Sequence, residues 1–539
     1  MTSGRTSVLS ALTVLLVAVT PAMASASPAA SPAATEPPVP ALSWAACGTA
    51  PGVQCATAAL PMDYDEPQGT QVNIAVARVP AADPTQRIGS LFFNFGGPGA
   101  AAVDYLQSAG AGVFEALNAR FDIVAFDPRG VGQSTPAIDC RVDKETAGPS
   151  LRPAPTPVTL DAGALVARAQ NYVDTCVANN GEILKHVSTA NVARDMDALR
   201  AAVGDERLSY LGFSYGTFLG ATYAALFPDR YRALVLDGAV DPDAWIHDPV
   251  SLSTTQLVAF ERALDRFLDA CTADQTACSG FGGSDPSTAY DALLSSAAAA
   301  PIPAPRYAAD PRPVTADDIR DVTAQLLYAK QFWGILAAAL AQAASGDASL
   351  VRAIIHQVVS PPADPGLDRF FAIAGSEEMW PRDVEAYLER GAREWVDNPH
   401  FWANYGYSEV SFALWPAKDE DAYGGSFAVG ASSPTPLVIG TTFDPATPYS
   451  LAGSMVRELG NARLLTMDGD GHTAYGRNSA CIDSATETYL IDGTLPADGT
   501  VCQQEVPFVA PGAVASQAGT SSGRVTLPGG VSAEMLGRP

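Results

Sequence analysis

Five residues, Gly212-Phe213-Ser214-Tyr215-Gly216, stand directly between a short apolar run at 208–211 and a helix-like segment at 217–227 that Pro228 stops. A strand that ends in G-x-S-x-G and turns at once into a helix has few ways to fold. The turn is so sharp that strand and helix approach closely across the glycines, and the serine oxygen is lifted off the sheet. Further short apolar runs at 90–95 (SLFFNF) and 121–126 (FDIVAF) read as buried central strands, 233–236 as another strand, and 436–440 (PLVIG) and 463–467 (RLLTM) as strand-like. From Trp44 onward strand, loop and helix alternate, which implies an α/β fold with a mostly parallel sheet. Thr189 is placed to cap one of the helices, whose Val192, Met196, Leu199 and Val203 form an apolar stripe ending at Gly204.

The alternation breaks near Asp241. Residues 242–430 read as helical, including a capping-box-like start at Thr315-Ala316-Asp317-Asp318. A helical block between sheet strands is expected to be an inserted lid, dividing the α/β core into 41–241 and 431–510. Residues 27–40 (Ala, Pro, Ser) read as a flexible leader or pro-segment, and 511–539 (Gly, Ala, Ser) as a flexible tail. The 539 residues include 58 acidic and 32 basic side chains, a formal net charge of −26. So acidic a chain would repel phosphate backbones and anionic lipid, which excludes nucleic-acid and membrane-surface roles.

The first 26 residues read as a secretory signal: Arg5, an apolar run at 8–19, then Ala22-Met23-Ala24 and Ala24-Ser25-Ala26 as small-x-small cleavage sites. No later segment is long and apolar enough to span a bilayer, so the mature chain is expected to be secreted. Export suits the even set of eight cysteines, which contains no C-x-x-C pair and so gives no zinc or redox motif. Sequence order suggests four local bridges, Cys47–Cys55, Cys140–Cys176, Cys271–Cys278 and Cys481–Cys502, among about 105 possible pairings.

Ser214 is the candidate nucleophile, and a serine hydroxyl needs a neighbouring base. Sheet enzymes of this kind run serine, acid, histidine in chain order. His472 follows the last strong strand and is the candidate base among five histidines. Asp444 follows the strand at 436–440 and is the candidate acid; Asp237, which also ends a strand, is the alternative. Asp468 and Asp470 lie so close to His472 that turn or cap roles suit them better. Backbone amides would hold an oxyanion. Gly97, in the glycine-rich loop 94–99, and Tyr215 are the assigned donors, with Gly96 also open.

The motifs GGPG (96–99), FDPRGVGQSTP (126–136), GFSYG (212–216), FDPATP (443–448) and GHTAYGRNSAC (471–481) resemble those of secreted bacterial tripeptidyl aminopeptidases, α/β-hydrolases related to proline iminopeptidases. The resemblance spans about residues 44–505. It implies removal of short peptides, tripeptides among them, from a free N-terminus by Ser214, Asp444 and His472. It also implies that Glu377 and Glu378, in the lid, bind the substrate amine. Phe95 departs from the pattern, standing where proline iminopeptidases carry His. No metal or organic cofactor is implied, and the enzyme is expected to act as a monomer on short peptides. Rival readings are a secreted carboxylesterase or a prolyl or single-residue aminopeptidase on the same triad, and a non-catalytic binding protein.

Overall fold

Every residue of the runs Gly89–Asn94 (β4), Phe121–Phe126 (β5) and Leu208–Phe213 (β6) is buried, which only strands covered on both faces can achieve. The computed structural model describes residues 39–510 apart from 360–364, 403–406 and 477–478. The expected signal (1–26), nearly all of the leader and the tail (511–539) lie outside the described residues. The remaining strands are Ala45–Ala46 (β1), Gln54–Pro61 (β2), Gln71–Val79 (β3), Tyr231–Asp237 (β7), Leu437–Phe443 (β8), Arg463–Asp470 (β9) and Val501–Gln503 (β10). They form one ten-stranded sheet in the order β1-β2-β3-β5-β4-β6-β7-β8-β9-β10. All pairs from β5·β4 to β9·β10 are parallel.

The first three strands correct the expectation of strand–helix alternation from Trp44. β1, β2 and β3 run antiparallel to their neighbours, and no helix separates β2 from β3. The cause is visible in β3, where buried Val72, Ile74 and Val76 alternate with exposed or small residues, a period of two that suits a hairpin.

The principal helices are Val103–Ala109 (α1), Ala162–Asn180 (α2), Thr189–Ala202 (α3), Tyr215–Leu226 (α4), Pro249–Ala273 (α5), Pro286–Ala299 (α6), Ala316–Leu327 (α7), Trp333–Ala344 (α8), Gly366–Glu377 (α9), Val384–Asp397 (α10), Tyr449–Leu459 (α11) and Ala480–Asp492 (α12). Alternate strand residues serve opposite faces. Phe92, Val124, Tyr210 and Leu234 pack with α3, α4 and α11, while Phe93, Ile123, Leu211 and Val235 pack with α1 and α12. Burying each large apolar side chain contributes about 1.5–3 kcal/mol, so the central strands anchor the site at their carboxyl ends.

Ser188, not Thr189, caps α3: its hydroxyl accepts the Asn191 N–H, and Thr189 is the first helical residue. Both residues can accept such a bond, and a second partner for Thr189, Glu377 of α9, decides between them. Thr315 and Asp318 do form a reciprocal capping box at the start of α7. Between β7 and β8 the named elements of the described chain are all helices, ending at Leu414, and α5–α8 enclose an apolar cluster of their own around Phe260, Phe267, Leu326, Trp333 and Leu336. Four disulfides join Cys47 to Cys55, Cys140 to Cys176, Cys271 to Cys278 and Cys481 to Cys502. Among the described residues no helix is long and apolar enough to cross a membrane.

Candidate active site

Ser214 sits where β6 turns into α4, with φ 56° and ψ −128°. A non-glycine residue rarely takes this conformation, which costs on the order of 1–3 kcal/mol. Hydrogen bonds hold it there: its N–H donates to the Asp237 carbonyl at 2.9 Å, and its own carbonyl accepts from the Thr217 amide and hydroxyl at 2.8 and 2.6 Å. The flanking glycines are required by contact. A Cβ on Gly212 would lie 2.2 Å from the Gly216 carbonyl oxygen, and one on Gly216 would lie 2.7 Å from that of Asn94.

The loop after β4 presses against this turn. A Cβ on Gly96 would lie 2.5 Å from the Phe213 carbonyl oxygen and 2.9 Å from Ser214 Cβ. The Gly96 N–H is already committed to Asn94 Oδ1 at 2.8 Å. The Gly97 and Tyr215 amides have no protein acceptor among the described residues. That difference favours Gly97 over Gly96 as an oxyanion donor, with Tyr215 at the helix N-terminus.

Asp444 and His472 are both buried and meet directly. His472 Nδ1 lies 2.9 and 3.0 Å from the two carboxylate oxygens of Asp444. The carboxylate also accepts the Ala446 and Thr447 amides at 2.8 Å each, the Thr447 hydroxyl at 3.0 Å and the Thr473 amide at 3.3 Å. These contacts hold the carboxylate facing Nδ1 and leave Nε2 on the far side of the ring. Asp237, the alternative acid, does not touch the imidazole. Its carboxylate accepts the Ala474 and Tyr475 amides at 2.8–3.0 Å, and burial pushes its pKa up to about 6. It ties the nucleophile strand to the histidine loop, since its carbonyl holds Ser214. Gly238, the next residue, completes the junction: a Cβ there would lie 3.2 Å from His472 Cε1.

The two adjacent glutamates, at the carboxyl end of α9, part company. Glu377 is occupied by protein donors: the Thr189 amide at 2.7 Å, and the Thr189 hydroxyl and Trp245 Nε1 at 2.9 Å each. It thereby closes the amino end of α3, and burial pushes its pKa up to about 7. Glu378 is buried with Oε1 unpartnered. Burial, and then the neighbouring Glu377 and Glu409 carboxylates, push it well above the usual range, opposed by Lys418 and by the nearby Trp380 indole. The Thr189 hydroxyl also meets the Tyr215 hydroxyl, which links Glu377 to the residue beside Ser214. A buried acid with one oxygen unpartnered is equipped to receive a cation that brings its own donors.

Sequence reasoning missed Thr447 and Tyr328. The Thr447 hydroxyl lies 3.2 Å from His472 Nδ1 as well as on Asp444. Its place three residues after Asp444 is a turn spacing that could have been read. Tyr328, from the inserted helices, accepts the His472 N–H through its carbonyl at 2.6 Å, and its ring stands edge-on to the imidazole at 5.3 Å. No local signal marks it. Of the other histidines, His247 meets Met379 and the Gly424 carbonyl, His356 meets Tyr307 and His400 meets Glu261 and Asp291, while His186 Nδ1 is buried without a partner among the described residues. Among the described residues no three His, Cys, Asp or Glu side chains converge as metal ligands.

Comparison with known proteins places this arrangement in context. The family model described as TAP-like protein matches residues 398–502, which carry Asp444 and His472. Serine protease Hip1 of Mycobacterium tuberculosis is 34% identical over 470 residues, covering 84% of this chain and 87% of the relative. Carboxylesterase B of the same species is 34% identical over 464 residues, covering 83% and 86%. The tripeptidyl aminopeptidase of Streptomyces lividans is 30% identical over 463 residues, covering 84% and 83%.

Proposed function

The chain belongs to the TAP-like family of α/β-hydrolases and is a serine hydrolase, and from that premise we propose that it is a secreted exopeptidase removing short peptides, tripeptides in particular, from free N-termini. Ser214 attacks the scissile carbonyl while His472 Nε2 takes its proton. Asp444 keeps the Nδ1 proton in place and stabilises the imidazolium. The Gly97 and Tyr215 amides hold the oxyanion. His472 then protonates the leaving amine, and water hydrolyses the acyl-enzyme by the same steps in reverse. The four disulfides fit an oxidising, extracellular setting.

The observation that carries the peptidase reading is the unpartnered buried oxygen of Glu378 beside the occupied Glu377. A free α-ammonium would supply both charge and donors there, and its distance from Ser214 would set how many residues are removed. Glu378→Gln keeps the size and shape of the side chain, so the fold should tolerate it. It is expected to raise KM for a free-amine tripeptide anilide about ten- to hundredfold, the worth of a hydrogen bond to a charged group. Rates on p-nitrophenyl acetate, which has no amine, should stay within about twofold. Equal KM values for the two proteins would remove Glu378 from amine binding.

The pair also fixes a pH dependence. A carboxyl whose pKa is raised is neutral below that value, so its attraction for an ammonium is lost as pH falls. With burial raising Glu378 above the usual carboxylate range, the ratio of kcat/KM for the free tripeptide to that for p-nitrophenyl acetate should climb as pH rises above that range. It should fall again as the substrate amine loses its proton near about 8. The ester corrects for the triad's own titration, and a ratio flat from pH 5 to 9 would contradict the reading. The relative called Carboxylesterase B supports a second reading, an esterase on the same triad. Indifference to N-acetylation of the substrate would favour it.

A further inference from the structure

The histidine loop is gripped from the lid by an ion cluster that the proposed chemistry does not use. Asp470 ends β9 two residues before His472 and is buried. Its carboxylate accepts from Arg266 Nε of α5 at 2.5 Å and from Lys330 Nζ at 2.9 Å. Lys330 closes a short segment that runs along the loop: Ala329 pairs with Gly471 in an antiparallel bridge, and the Tyr328 carbonyl takes the His472 N–H at 2.6 Å. Gly471 has φ +104°, and a Cβ there would lie 2.9 Å from that same carbonyl oxygen, so the loop is shaped to this contact. The Arg266 guanidinium also lies 3.4 Å over the ring of Phe443, the residue before Asp444. One cluster therefore reaches the chain neighbours of both the candidate acid and the candidate base.

Energetics support a mechanical role. A buried carboxylate shared by two cations is strongly held, and removing one partner leaves an uncompensated charge. Gln504 adds two bonds to the backbone of Asp470, accepting its N–H at 3.1 Å and donating to its carbonyl at 2.7 Å. Arg266, Lys330 and Asp470 line a cavity of about 420 Å³ together with Trp333 and Phe508, so the cations can be altered at a rim without opening the core.

We propose that Arg266, Asp470 and Lys330 are positioning residues, an ionic clamp by which the inserted helices set the orientation of His472 for proton transfer. The inference rests on His472 being the base. The test uses the full chain with Asp470→Asn, Lys330→Gln, Lys330→Arg and His472→Ala, assayed on p-nitrophenyl acetate and on a free tripeptide anilide. Arg152→Gln is the control, because Arg152 joins Asp318 and Asp321 of α7, and no contact among the described residues joins these three to His472, Tyr328 or the Asp470 cluster. A small misplacement of a reacting group costs on the order of ten- to a hundredfold. Asp470→Asn and Lys330→Gln should lower kcat by at least about tenfold on both substrates with KM within about twofold. Lys330→Arg should restore kcat, and Arg152→Gln should leave it unchanged whatever it does to the melting temperature. If Asp470→Asn fails to fold, the Lys330 pair carries the test alone. Full kcat in Lys330→Gln while His472→Ala is inactive would overturn the clamp but spare the triad, as would an equal loss in Arg152→Gln. Activity in His472→Ala would overturn both.

Discussion

Ser214→Ala is expected to lower kcat/KM for a peptide anilide by about 10⁶-fold, the scale seen when the nucleophile of such a triad is removed. The structure gives this substitution little else to disturb. The hydrogen bonds that fix the turn all run through the backbone of Ser214, from its N–H to Asp237 and from Thr217 to its carbonyl. Alanine keeps them, and it tolerates φ 56° no worse than serine does. The melting temperature should therefore stay within about 2 °C while activity vanishes, a separation that only a chemical role produces. Labelling by a fluorophosphonate probe should disappear with it. Residual labelling at another serine would show that the reactive centre lies elsewhere.

Asp444→Asn should cost about 10⁴-fold in kcat, because the wrong histidine tautomer leaves Nε2 protonated and unable to accept. Asp444 faces donors only: the amides of Ala446, Thr447 and Thr473, the Thr447 hydroxyl and His472 Nδ1. An asparagine must aim its NH₂ at some of them, either flipping the imidazole or leaving an amide unpaired. The second outcome costs about 1–3 kcal/mol of stability, so a fall in melting temperature should accompany the kinetic loss. A variant with kcat within about tenfold of the parent would mean that something other than Asp444 orients His472.

How much of this was legible depended on whether the cause was local. The nucleophile turn could be read because five consecutive residues and their flanking strand and helix contain the whole reason for it. Asp444 and His472 could be placed because each follows a strand whose apolar run is unmistakable. The helix cap was missed by one residue, since Ser188 and Thr189 have the same chemistry and only Glu377, far away in sequence, distinguishes them. The antiparallel strands β2 and β3 were missed because their apolar residues alternate with polar or small ones, as Val72, Ile74 and Val76 do, and form no continuous run of the kind that marked the central strands. The division of labour between Glu377 and Glu378 was invisible, because adjacent glutamates differ only in what the fold brings to them. Tyr328 and the cations on Asp470 were beyond reach for the same reason, as contacts made across a long helical insertion.

The central claim, that this serine hydrolase selects peptides by a free N-terminus, is tested most directly with a fluorogenic Ala-Pro-Ala anilide beside its N-acetylated twin and the Ala and Pro monomer anilides. The account predicts fast release from the free tripeptide, abolished by Ser214→Ala, with the acetylated peptide and the monomers slower by about a hundredfold or more, as expected when a buried charged partner is left unpaired. Equal cleavage of the free and acetylated peptides would contradict it.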